Sequence, residues 1–222
     1  MQVSSQRIGK RQVHLDFHTS EHLPGVGTRF SKQQFQQALR LGRLDAINLF
    51  AKGHHSWSYY PTKIGQMHPN LDFDLLGAQI EACHEIGVLA PIYYTFGWSS
   101  NDVETHPDWC VRHRDGTPVT SEPWPADVTA ETPKPGFQWK FLCANTGYHD
   151  HIMAQVEELC QNYPVDGFWF DIYQVHRLCF CEACRQEMVS RGVDLADDEA
   201  VGAFNAQVMK RHCQDLRELI AK

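Results

Sequence analysis

Residues 165–171 read Val-Asp-Gly-Phe-Trp-Phe-Asp (VDGFWFD), an apolar run behind Pro164 that ends on a carboxylate. Its length and near-continuous apolarity are those of a strand buried in a parallel sheet. Such sheets gather their chemistry at the C-terminal strand ends, so Asp171 is expected at a rim where a charge can stay solvated. Upstream, Ile152, Val156 and Leu159 share one face of a helix predicted over 148–163. Val88 to Phe96 reads as an earlier strand, with Pro91 a caution because proline removes a ladder donor. A helix capped by Asp72 or Asp74 and ending at Gly87 precedes it, then a strand at 46–51 and a helix from Ser31 to Gly42. The first strand is predicted over 12–18.

Past Asp171 come a cysteine-rich loop, a short helix after Cys184 and a last helix carrying Val201, Phe204, Val208 and Leu216. Strands alternating with helices imply an α/β chain with a largely parallel, helix-covered sheet. A (β/α)8 TIM-type barrel needs eight such units and about 250 residues. Four are legible here, so the expectation is the N-terminal part of a barrel, one domain over 1–222, apparently truncated. An isolated half-barrel would expose two sheet edges and a large apolar face, and should self-associate or be unstable. Residues 97–146 are predicted as a single long loop, well above the usual 2–6 residues, and loops of that length are often functional.

Composition limits the partners. The 222 residues are 42% hydrophobic and 21% charged, with a net charge of −7, the proportions of a globular chain. An acidic balance argues against a nucleic-acid surface and a polybasic membrane anchor. No apolar run is long enough for a transmembrane helix, and Met1 to Gln12 lacks a signal-like apolar stretch. A cytoplasmic location is therefore expected, with the eight cysteines serving as metal ligands or free thiols rather than as a disulfide framework.

Each predicted strand ends in polar or aromatic groups: His18, then His54-His55, then Tyr93-Tyr94 followed by Trp98, then Asp171. Such a ring can hold a polyol. A retaining glycosidase needs a carboxylate nucleophile about 5–5.5 Å from a second carboxyl acting as acid/base, and Asp171 suits the first role.

These segments resemble a known family. LFAKGHHSWSYYPTKI (49–64) is similar to the lysine–histidine–histidine…proline–serine/threonine stretch of family 29 α-L-fucosidases. VHLDFHTS resembles their first strand, PIYYTFGW their third and VDGFWFD the strand that delivers their nucleophile. HPDWCVRHRDG (106–116) and the wider text are closer to the hypothetical glycosyl hydrolase 6 domain of family 151 α-L-fucosidases. The resemblance implies a retaining α-L-fucosidase with Asp171 as nucleophile. His18, His54 and His55, Trp98 and one of Tyr93 and Tyr94 would bind the sugar. The two tyrosines point to opposite faces of a strand, and Tyr94 is preferred. The family's histidine pair aligns either at Gly53-His54 or, shifted by one, at His54-His55. The acid/base is expected beyond Lys222, which would leave this chain with little or no activity alone. A homo-oligomer is expected for the complete protein.

Cys179, Cys181 and Cys184 form C-x-C-x2-C, a spacing able to wrap a tetrahedral Zn2+ that wants a fourth ligand from Cys143 or Cys110, with His176 a substitute. The cluster resembles the structural zinc site of family 42 β-galactosidases, and FLCANTGYHD matches the setting of their earlier cysteine, which implies Cys143. Three other readings stay open: a β-galactosidase-like glycosidase, a metal-dependent hydrolase using His14, Asp16 and His18, and a non-catalytic fragment. In the β-galactosidases the fourth strand ends in Asn-Glu rather than Phe170-Asp171.

Overall fold

A computed structural model describes residues 9–122, 138–173 and 178–222. It is a mixed α/β chain with a parallel-rich sheet. Strands β1 (Gln12–His14), β2 (Ala46–Lys52), β5 (Ile92–Thr95) and β6 (Phe168–Asp171) neighbour one another in sequence order, all parallel. A short pair, β3 (Trp57–Ser58) and β4 (Gln66–Met67), extends the sheet from the end of β2, with β3 antiparallel to it.

The helices start where their caps dictate. Ser31 accepts from the Gln34 N–H to open α1 (Lys32–Leu41), and Gly42 closes it. Asp74, not Asp72, accepts from Gly77 N at 2.8 Å to open α2 (Leu75–His84). The strands are shorter than the apolar runs that announce them. β5 begins directly after Pro91, which has no N–H but whose carbonyl still accepts from Leu49 N at 2.9 Å. β1 ends at His14, and residues 15–18 continue outside the ladder.

Two compact units divide the chain: 1–95 with 158–171, and 96–157 with 172–222. The first holds the whole sheet. Its core packs Val26, Phe50, Tyr59, Leu71, Leu75 and Tyr93 together. The second corrects the expectation of one long loop. Residues 97–146 contain α3 (Ser100–Thr105), a 3-10 turn at Pro107–Trp109 and antiparallel bridges Trp98–Phe141, Cys110–Leu142 and Thr120–Lys140. It also holds most of α4 (Tyr148–Asn162), α5 (Glu182–Ser190) and α6 (Asp198–Ile220). Arg114 of the HPDWCVRHRDG stretch places its guanidinium 4.3 Å from the Phe180 ring and bonds Leu195 O and Asp198, so this motif fastens the last two helices. Gly97 has a packing reason: a Cβ there would fall 2.2 Å from the Ile172 carbonyl. No helix among the described residues is long and apolar enough to cross a membrane.

Candidate active site

Register decides which side chains share a face of the sheet. Thr95 pairs with Asp171 and Tyr93 with Trp169, while Phe50 pairs with Tyr93 and their rings stack 3.9 Å apart. Phe50, Tyr93, Thr95, Trp169 and Asp171 therefore line one face. Tyr94 lies on the other, beneath the buried Lys52 ammonium at 5.2 Å. The preference for Tyr94 is corrected by this pairing: Tyr93 donates to Asp171 Oδ2 at 2.6 Å. Alternation says that only one tyrosine faces Asp171, but only the β5–β6 register says which. A register shift between Phe50 and Lys52 turns the end of β2, and a tight turn follows in which Ser56 N bonds Gly53 O.

That turn delivers His54 to the same face. Its ring stacks on His18 with centroids 3.8 Å apart and planes 9° apart. Its Nδ1 meets Thr95 Oγ1 at 2.7 Å, and its Nε2 stands 3.8 Å from Asp171 Oδ2. His55 is buried elsewhere, beside Glu21 and His68. Gly53 explains the local sequence: a Cβ there would sit 3.1 Å from the Tyr59 hydroxyl and 3.3 Å from His18 Nδ1. A side chain at 53 would press on both, and each would have to give by a few tenths of an ångström. Trp98 belongs to the second unit, where it stacks on Trp139.

Burial holds these imidazoles neutral. Desolvation lowers His18 to about 4, against the opposing pull of Asp16 and Asp171. It lowers His54 to about 2 and His55 to about 4. Because the unfolded chain binds these protons near the ordinary histidine value of 6.5, stability is fully present above that pH and falls as pH drops toward 4. Each ring contributes a loss of about 1–2 kcal/mol between pH 7 and 5. Calorimetric melting across that range should show a steady fall in Tm; a flat profile would mean the rings protonate freely in the folded state.

Tyr59 holds the segment that carries His18. Its hydroxyl donates to Phe17 O at 2.8 Å and accepts from Thr19 N at 3.0 Å, with Thr19 Oγ1 at 2.8 Å. Removing the hydroxyl with Tyr59→Phe leaves buried backbone groups unpaired and should cost about 1–3 kcal/mol in urea unfolding. A change under about 0.5 kcal/mol would show that the segment is held by something else.

The structure does not assemble His14, Asp16 and His18 as a chelate. Asn48 Nδ2 donates to His14 Nδ1 at 3.0 Å, and His14 Nε2 donates to Asp16 at 2.9 Å, so both ring nitrogens are engaged. Among the described residues, the one group of His, Cys and acidic side chains whose ligand atoms gather for an ion is Cys143, Cys179, Cys181 and Cys184. These four are buried, with all sulfurs within 4.8 Å of one another. Tetrahedral Zn–S bonds of about 2.3 Å put sulfurs about 3.8 Å apart. Cys143 Sγ and Cys184 Sγ are 3.5 Å apart, so the donor set fits that ion. Cys110 lies outside the group, and His176 lies outside the described residues.

Two further groups escaped the sequence reading. Trp169 is 55% exposed on the Asp171 face, a bare aromatic surface beside a carboxylate. Its position two residues before Asp171 was the available signal. Thr95 had the same kind of signal, two residues after Tyr93.

The profile of the family described as Hypothetical glycosyl hydrolase 6 matches residues 31–172. Among solved structures, α-L-fucosidase isoenzyme 2 from Paenibacillus thiaminolyticus is 40% identical with a TM-score of 0.83, over 95% of this chain and 30% of that one. The α-N-acetylgalactosaminidase NagBb from Bifidobacterium bifidum gives a TM-score of 0.50 at 16% identity, over 84% of this chain and 35% of that one, a likeness of fold alone. The chain thus spans about a third of the length of these solved structures. No curated protein matches it.

Proposed function

The chain belongs to the hypothetical glycosyl hydrolase 6 family, and on that premise we propose that it supplies the nucleophile and sugar-binding side of a retaining α-L-fucosidase. The observation that carries this reading is the Tyr93–Asp171 bond of 2.6 Å beside the stacked His18–His54 pair. It puts a carboxylate, two neutral imidazoles and the exposed Trp169 on one face. The similarity to the Paenibacillus fucosidase supplies the sugar. The parallel order β1-β2-β5-β6 supports the first four units of a (β/α)8 barrel as the scaffold.

In the first step an Asp171 oxygen attacks the anomeric carbon as the glycosidic C–O bond breaks and the leaving oxygen takes a proton from an acid. Water then cleaves the glycosyl–Asp171 ester. Tyr93 steadies Asp171 Oδ2, leaving Oδ1 for the attack. His18 and His54 hold hydroxyls, and the face of Trp169 covers the apolar C–H surface of the ring. The four cysteines would hold a structural Zn2+, with no open position for catalysis. Incubation with 2-deoxy-2-fluoro-α-L-fucosyl fluoride tests the reading, since fluoride leaves without a proton and the ester then accumulates. Intact-mass and peptide analysis should find one sugar on Asp171. Labelling elsewhere would overturn the assignment.

A further inference from the structure

The HPDWCVRHRDG stretch hydrogen-bonds to both segments that carry the four clustered cysteines. On one side the Cys143 N–H donates to Trp109 O at 2.8 Å, and the Val111 N–H donates to Phe141 O at 2.8 Å. On the other, the N–H of Phe180, the residue between Cys179 and Cys181, donates to Arg112 O at 2.9 Å. The stretch is itself braced. The Arg112 guanidinium donates to Pro107 O at 2.8 Å and to Gly116 O at 2.9 Å. The His113 N–H donates to Thr117 O at 2.8 Å across a turn whose Gly116 has φ +88°, a conformation open to glycine at no steric cost. That turn carries the Arg114 guanidinium to 4.3 Å from the centre of the Phe180 ring. Arg185, the residue after Cys184, brings a second guanidinium 5.3 Å from the same ring and donates to Phe180 O at 2.7 Å and to Arg114 O at 2.5 Å.

These contacts meet on one side chain, and its neighbours on both sides are candidate ligands. Phe180 is buried, and a cation over the face of a desolvated ring attracts it more strongly than one over an exposed ring. The other ion contact of Arg114, with Asp198, is exposed at both partners, and such pairs contribute little. The ring contact is therefore the one through which Arg114 has most leverage. We propose that Arg114 is a positioning residue for the metal centre: through the Phe180 ring it locks Cys179 and Cys181 against the segment that holds Cys143, and so keeps the four sulfurs at metal-binding spacing. The proposal rests on the metal reading of the cysteines.

Cobalt(II) is the probe, because its thiolate charge-transfer absorption reports a four-sulfur site that Zn2+ leaves colourless. Each protein is loaded with Co2+ under nitrogen, and the decay of that band is followed in excess chelator. Arg114→Met keeps an unbranched stem and removes the cation, while Phe180→Leu keeps an apolar side chain and removes the ring. Each should release the metal about tenfold faster than wild type, the scale on which partners that orient metal ligands act. The double variant should release it no faster than the faster single variant, since both remove the same contact. Leu216→Ala is the control, a cavity at the far end of α6 from Asp198. It should lower Tm while metal release stays within about twofold of wild type. Release from Arg114→Met no faster than from Leu216→Ala, or effects that multiply in the double variant, overturns the proposal and leaves Arg114 a fastener of helices. If Arg114→Met does not fold, Arg114→Lys replaces it with a rise of about threefold or more, because an ammonium lacks the planar fork. A wild-type chain that shows no thiolate band with Co2+ removes the metal reading itself and the role of Arg114 with it, so the two failures are told apart.

Discussion

Protein purified without chelator should carry one zinc per chain, and Cys181→Ser should carry none and lose the cooperative melting of the unit that holds the cluster. The ligands come from two segments that lie 36 residues apart in the chain. Cys143 follows the bridged segment at Phe141 and Leu142, Cys179 and Cys181 precede α5, and Cys184 stands in its first turn. Zinc at four thiolates is worth about 10–16 kcal/mol in small zinc domains, as large as the whole stability of an ordinary domain. The site also has an outer partner: Asn145 N–H donates to Cys143 Sγ at 3.4 Å, a bond that strengthens once the sulfur is a thiolate. Metal analysis and thermal melts of wild type and Cys181→Ser check this together. Four freely reactive thiols in metal-poor wild-type protein, with an unchanged melt in the variant, would remove the zinc assignment.

What could be read in advance follows the range of each interaction. Ser31 and Asp74 cap helices with groups three residues away, so local sequence names them. The cysteines are legible because C-x-C-x2-C is a local spacing, and Cys143 joined them through the text around it. Tyr93 against Tyr94 is a different kind of question. Alternation separates the two, but the β5–β6 pairing selects between them, across 78 residues of chain. The choice between His54 and His55 likewise depends on a register shift at the end of β2 and on Tyr59 closing over Gly53. The segment at 97–146 hid its structure because its bridges pair residues far apart, such as Trp98 with Phe141. Only a fold makes them neighbours.

Asp171→Ala should abolish fucosyl transfer: labelling by the fluorinated fucosyl fluoride disappears, and in a chain that carries the acid/base, turnover of an aryl α-L-fucoside falls by about 10^4-fold or more. The argument is chemical. No other carboxylate is bonded to Tyr93 or stands beside His54 in the first unit, among the described residues, at the distances Asp171 has. Asp16, the nearest rival, is wired to His14 at 2.9 Å and its side chain is 75% exposed, which makes it a solvated partner rather than an oriented nucleophile. Alanine removes both the attacking oxygen and the acceptor of the Tyr93 proton, so covalent chemistry is lost while much of the sugar-binding face stays. The decisive control is azide, a small anion that fits the space left by the carboxylate and attacks the anomeric carbon itself. Rescue of Asp171→Ala with release of a β-fucosyl azide, the anomer opposite to the substrate, places the missing nucleophile at residue 171. Full turnover by the unrescued variant would mean that Asp171 only steadies Tyr93 and His54, and the nucleophile would have to be sought on another strand.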